Sequence, residues 1–214
     1  MKALATVLLL GALSLTGCKT VKPYDYTNFR AHPPRSILVL PPLNQSTDVR
    51  GTYSYLSTVT QPLAELGYYV FPVEIVDQFM KENGLPSAGE MHQIPLAKAS
   101  EVFGADAILY CTLKQYGSKY QVISSTTTVS VEAKLVDTRT GLLLWEGDGL
   151  AQQGSNGGGG GILADLVAAA ITQAISSKTD PAHQASRLAN QLLFFKKKAG
   201  LPFGPYNPQY GKSP

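Results

Sequence analysis

The sequence predicts a single α/β domain built on a mixed sheet with helices packed on it, and three observations carry that prediction. The chain has 214 residues, 44% hydrophobic and 15% charged, enough for one sizeable core and too few for two ordinary domains with a linker. From residue 36 to 115, short branched apolar runs alternate with segments of helical spacing in the order β-α-β-α-α-β, which implies a parallel or mixed sheet. Beyond Gly117 the apolar period changes from helical to two, so antiparallel hairpin strands and then two carboxy-terminal helices complete the domain.

Each element follows from its own residues. Ser36-Ile-Leu-Val-Leu40 is an unbroken branched run stopped by Pro41-Pro42, the pattern of a strand buried on both faces. Residues 43–51 are polar and read as a loop. Leu56, Val59, Leu63 and Leu66 recur at helical spacing, so residues 52–66 predict a helix capped by Gly67, kinked or restarted at Pro62. Residues 68–71 form a second strand ended by Pro72. Ile75, Val76, Phe79 and Met80 mark a helix that stops at Asn83-Gly84. After a loop over 85–93, Leu96, Ala99 and Phe103 mark another, capped by Gly104. Residues 105–115 are the third strand. Between Tyr120 and Val136, Thr127, Val129, Val131, Ala133 and Leu135 alternate with polar residues. Residues 137–141 are a turn and 142–151 the returning strand, with Trp145 inside it. Residues 155–161 are glycine-rich, residues 162–176 and 182–198 are helical, and residues 201–214, with four prolines, are irregular.

Composition narrows the function. The charged fraction lies below the 25% or so usual for soluble domains, a hint of an extracytoplasmic protein. Two cysteines, Cys18 and Cys111, exclude a small disulfide scaffold. Cys111 lies in an apolar strand and reads as core rather than nucleophile. His32, His92 and His183 stand singly, without metal-site spacing. The formal net charge is +3. Five basic and two acidic residues occupy 19–60, seven and thirteen occupy 61–180, and five and none occupy 181–214. Both ends of the chain beyond Cys18 are therefore basic around an acidic middle, an asymmetry able to orient a tethered domain on anionic lipid. For Lys196-Lys-Lys198 the plain alternative is a solvated helix C-terminus that complements the macrodipole.

No complete catalytic or cofactor motif accompanies this fold. The glycine run lacks the Lys and Ser or Thr of a phosphate loop, since Ile162-Leu-Ala follows its last glycine. A hinge, or a surface of close approach, accounts for it equally. The next helix is apolar on most of its circumference, so it needs cover from the domain's own sheet, another subunit or a membrane surface. Glu74 and Asp77 share one helical turn, where acids are favoured for dipole reasons alone. No metal, cofactor, nucleic acid or small-molecule substrate is expected, and no enzymatic activity.

The amino terminus carries the strongest functional signal. Met1-Lys2 precedes a thirteen-residue apolar run, Ala3 to Leu15, too short to cross about 30 Å of hydrocarbon and followed by Thr16-Gly17-Cys18. This is a signal-peptide pattern. Leu15-Thr16-Gly17-Cys18 resembles the lipobox of a bacterial lipoprotein precursor, and that resemblance implies a diacylglyceryl group on the Cys18 thiol and a further acyl chain on its amine after cleavage. Two or three chains anchor a protein stably where one does not. Lys19, which is not Asp, implies by the same analogy sorting to the outer membrane. A plain cleaved signal peptide, with Cys18 incidental or paired with Cys111, is the alternative. The expected organisation is therefore a signal peptide over 1–17, a lipidated Cys18 with a flexible tether to residue 34, one domain over 35–199, and an irregular tail over 200–214. Tyr24, Tyr26 and Phe29 in the tether are expected to press on the domain, a partner or lipid.

Gly67-Tyr-Tyr-Val-Phe-Pro-Val-Glu74, Gly104-Ala-Asp-Ala-Ile-Leu109 and Leu135-Val-Asp-Thr-Arg-Thr-Gly141 resemble the lipoprotein family typified by a genome-derived Neisseria antigen. The order of elements is also similar to the curli-export lipoprotein, the TolB amino-terminal domain and the lipoprotein activator of a peptidoglycan synthase. The resemblance implies an α/β sandwich that binds proteins in the envelope, and a dimer. The lipobox, the aromatic tether and the absence of a complete catalytic or cofactor motif lead to the expectation of a periplasm-facing homodimer or homo-oligomer that serves as a binding and assembly module of an envelope export or transport complex. A regulator docking on a cell-wall synthase and an envelope hydrolase are the alternatives. The barrel-forming segments of the curli exporter are not evident.

Overall fold

Ile37, Leu38, Val39 and Leu40 are all buried, as a strand covered on both faces requires, and the sheet is layered around them. The computed structural model describes residues 24–120, 125–154 and 180–212. In chain order these form α1 (Thr27–Ala31), β1 (Ser36–Val39), β2 (Leu43–Asn44), α2 (Gly51–Glu65), β3 (Tyr69–Val70), α3 (Val73–Glu82), α4 (Ala88–Met91), α5 (Leu96–Phe103), β4 (Ala107–Tyr120), β5 (Ser125–Asp137), β6 (Leu143–Gly154) and α6 (Pro181–Phe194).

The six strands form one mixed, open sheet in the order β3-β1-β4-β5-β6. β1 is parallel to both β3 and β4. Pro41 and Pro42 have no N–H to offer, so the pairing beside β4 breaks there and resumes as β2, with Leu43 opposite Thr112 and Asn44 opposite Leu113. β4 and β5 form a long antiparallel hairpin from Ala107↔Asp137 to Tyr120↔Ser125. A register shift between Leu113 and Gln115 turns Tyr116 onto the buried face that Leu113 already occupies, which strict alternation forbids. A second shift, at Leu135/Val136, likewise lets the neighbours Leu144 and Trp145 both be buried. In the turn after β5, burial opposes ionisation of Asp137. The N–H and hydroxyl of Thr140 and the N–H of Arg139 outweigh it and hold the carboxyl below its ordinary range.

Two layers of unequal size cover the sheet. On one face α1, α2 and α6 bury Phe29, Leu63 and Leu193 against Val39, Leu109, Val131 and Leu135. There α2 and α6 are tied by a buried polar chain: the Tyr55 hydroxyl donates to Asn190 Oδ1 at 2.6 Å, and Asn190 Nδ2 donates to the Thr58 hydroxyl at 2.9 Å. On the other face α3, α4 and α5 bury Val76, Met80, Met91 and Ala99 against Leu38, Leu40 and Ile108. Glu132, Lys134, Glu146 and Asp148 on β5 and β6 are exposed, the wet face that a period of two predicts.

Several expectations change. The domain already includes residues 24–34, ahead of residue 35, because α1 is folded into the core with Tyr26 and Phe29 buried; residues 24–34 are no flexible tether. The tail over 200–212 is irregular as expected, yet it packs on the domain through Leu201. Residues expected to be loop contain β2 and α4, the latter opened by a reciprocal capping box of Ser87 and Glu90. α2 continues through Pro62. β4 runs past Gln115 to Tyr120. The last helix stops at Phe194 rather than 198. The glycine run, the apolar helix over 162–176, the signal peptide and Cys18 lie outside the described residues.

Candidate functional site

The end of the sheet at which the described chain begins is assembled from sequence-distant pieces. The Tyr24 hydroxyl accepts the Glu146 N–H at 2.8 Å, and its ring meets Tyr26 at 4.7 Å between centroids. The Tyr26 hydroxyl donates to the Gly200 carbonyl at 2.6 Å, and Asn28 Nδ2 donates to the Leu143 carbonyl at 3.1 Å. Burial raises both phenols, Tyr26 to about 12, so both stay neutral donors or acceptors. Trp145 stacks on Phe194 with centroids 5.8 Å apart, and its Nε1 donates to the Ala199 carbonyl at 3.0 Å. The amino-terminal segment and the turn after α6 thus close over the first half of β6, an edge strand that would otherwise offer its backbone to other chains.

The carboxy-terminal segment caps α2. Asn207 Nδ2, Gly204 N and Tyr206 N donate to the carbonyls of Glu65, Leu66 and Gly67, three acceptors that a helix end leaves without partners. Gly67 has φ +87, and a Cβ there would meet the Asn207 nitrogen at 2.3 Å. Only glycine fits.

Beyond Phe194 the surface changes character. Phe195 is 40% exposed, and Lys196, Lys197 and Lys198 follow it, all exposed. Lys196 reaches Asp148 at 3.2 Å. An open cleft of about 480 Å³ beside them is lined by Tyr24, Lys134, Glu146, Asp148, Lys196 and Ala199. Its mixed charges and openness do not enclose a small molecule. A second cleft, of about 280 Å³, lies between α2 and α6 at Gln61, Arg187 and Gln191.

The histidines do not build a reaction centre. His183 Nδ1 lies 3.4 Å from the Ser54 hydroxyl, which also accepts the Tyr116 hydroxyl at 2.5 Å. These three tie α2, α6 and β4 together, and neither cleft is lined by them. His92 donates through Nε2 to the Pro41 carbonyl at 2.9 Å, and burial lowers its pKa. Glu74 is exposed, while Asp77 is held by Lys81 at 2.7 Å. Cys111 is free and buried, with its thiol pushed up to about 12 by burial, a core residue in the described structure. Among the described residues no group of three or more His, Cys, Asp or Glu is placed to hold a metal, and no helix is long and apolar enough to cross a membrane.

Sequence reasoning singled out Tyr24, Tyr26, Phe29 and Lys196–Lys198 and left open what they meet. It missed that these residues converge. The available signal was an aromatic cluster in a segment with no apolar period, which solvent alone does not justify.

A mixed open sheet with helices packed on it and its own amino-terminal segment folded over one edge defines an open α/β domain. The chain belongs to the GNA1162-like lipoprotein family, whose family model matches residues 24–206. It is 44% identical over 183 residues to a Neisseria meningitidis serogroup B protein named as a lipoprotein, covering 85% of each chain. The crystal structure of lipoprotein GNA1162 from N. meningitidis is 46% identical, with TM-score 0.56, 65% of this chain and 97% of that one covered. The C-terminal domain of LpoB from Salmonella enterica is 20% identical, with TM-score 0.42 and coverages of 56% and 83%.

Proposed function

We propose that the protein is an outer-membrane lipoprotein acylated at Cys18, whose domain faces the periplasm and acts as a homo-oligomeric binding and assembly module of an envelope export or transport complex. The observation that carries the reading is the distance along the chain between anchor and domain. Cys18 precedes Tyr24 by six residues, and from Tyr24 onward the chain is pinned to β6 and the turn after α6. Membership of a lipoprotein family supports the anchor, and the mixed, open clefts support contacts over turnover. At the other end of the sheet from Tyr24 the described part of the β4–β5 hairpin leaves Tyr120 81% exposed, and that end is, on this reading, a surface offered to partners. Labelling cells with a palmitate analogue is expected to mark the wild-type protein and leave Cys18→Ser unmarked. Equal labelling of the two, or none of either, refutes acylation at Cys18. Cross-linking in cells is expected to recover oligomers together with envelope partners, and recovery of monomer alone rejects the assembly role.

A further inference from the structure

We propose that the turn after α6, Phe195 to Lys198, docks the domain on an anionic phospholipid surface. The proposal rests on the acylation reading for its geometry and deepens it. Whatever path residues 19–23 take, the six steps from Cys18 to Tyr24 span at most about 20 Å, while a domain of this length is about 40 Å across. An acylated Cys18 therefore holds the end of the domain that carries Tyr24 within about 20 Å of the membrane surface, nearer than the far end can come without the domain lying over. Tyr24 and Lys196 line the same cleft, and Tyr26, bonded to Gly200, carries the Arg30 guanidinium 5.9 Å from its ring centroid.

The composition there suits a lipid interface. An exposed aromatic ring followed by three exposed lysines pairs an apolar wedge with charges that attract acidic headgroups. Glu132, Glu146 and Asp148 line the cleft with Lys196, Asp148 engaging Lys196 and Glu132 engaging Lys114, yet Lys197 and Lys198 have no ion pair among the described residues. The backbone supplies an independent observation. Lys198 is the one non-glycine residue with positive φ among the described residues, at 65°. The Lys196 carbonyl fixes it by accepting N–H bonds from both Ala199 at 3.2 Å and Gly200 at 2.6 Å. Glycine takes that conformation without steric cost. A lysine held there points to a use for its charge.

Trp145 is the single tryptophan of the chain and touches this turn through Ala199, so it reports docking. The acylated full-length mature protein is placed in vesicles of phosphatidylcholine, with or without phosphatidylglycerol, carrying a dansyl headgroup acceptor. Energy transfer from Trp145 is expected to rise with phosphatidylglycerol and to lose that rise in about 1 M salt, where screening acts within about 3 Å. Each unpaired lysine removed should lower the docking equilibrium about fivefold. K196Q/K197Q/K198Q should abolish the rise, and K198G should weaken docking while leaving the melting temperature equal or higher. Equal transfer in both vesicles, or a rise that survives in the folded triple variant, overturns the proposal. Flotation on phosphatidylcholine vesicles in about 1 M salt reads the anchor separately. If the chain fails to float there, flotation on phosphatidylglycerol vesicles at low salt, wild type against K198G, still decides for or against docking.

Discussion

Tyr26 joins two stretches that lie 174 residues apart, and its hydroxyl is the only donor shown for the Gly200 carbonyl among the described residues. A buried carbonyl deprived of its donor costs more than the net value of the bond it loses, because water does not replace the partner. Tyr26→Phe is therefore expected to lower unfolding stability by about 1–2 kcal/mol. Tyr24→Phe should cost less, since Tyr24 is only partly buried and its bond to the Glu146 N–H is accessible to water that can replace the phenol. Urea denaturation of both variants measures the contrast. A cost for Tyr24→Phe as large as that for Tyr26→Phe contradicts this ranking of the two bonds. The same residues explain why the domain edge was illegible at 24–34. With Pro23, Pro33 and Pro34 and no apolar period, the segment carries no local signal, and its order comes from contacts with residues near the other end of the sequence.

At the scale of elements, legibility follows the range of the interactions. β1, α2 and the β5–β6 turn were readable because runs, helical spacing and turn formers are local patterns. β2 and α4 were not: a two-residue strand exists only because Thr112 and Leu113 lie beside it, and a four-residue helix only through its capping box. The extra length of β4 was hidden by Gly117, which has φ +123 inside the strand and reads locally as a terminator. The bond of Tyr26 to Gly200 beyond α6 needed the fold. One packing rule emerges from the glycines of β6. At Gly149 a Cβ would lie 2.4 Å from the Ala189 carbonyl oxygen and 2.9 Å from Leu193 Cβ, so α6 crosses the strand against bare backbone. Gly149→Ala is expected to destabilise by about 1–3 kcal/mol through displacement of α6. Gly154→Ala, with nothing within 4 Å among the described residues, should be near neutral. Thermal melts of the two variants test the close crossing, and equal melting temperatures contradict it.

For the whole molecule, the two layers divide stability unequally. The layer of α1, α2 and α6 shares one continuous core with the sheet and carries the buried Tyr55–Asn190–Thr58 chain. The layer of α3, α4 and α5 rests on short helices and leaves Ile75 61%, Val102 47% and Phe79 39% exposed, with Phe79 and Phe103 edge to face at 5.3 Å. Less apolar area removed from water means a smaller free energy of local opening. The sheet does not need this second layer for its long hairpin: β4, β5 and β6 pair through backbone bonds, and Glu132, Lys134, Glu146 and Asp148 on the outer face of β5 and β6 are already wet. Opening of α3–α5 therefore exposes Leu38, Leu40 and Ile108 while the first layer and the contacts of Tyr24 and Tyr26 stay closed. Native-state hydrogen exchange is expected to show Met80 and Ala99 amides exchanging through a sub-global opening of lower free energy and weaker denaturant dependence than those of Leu63 and Leu193. If all four amides share one free energy and one denaturant slope, the layers form a single cooperative unit and the division fails.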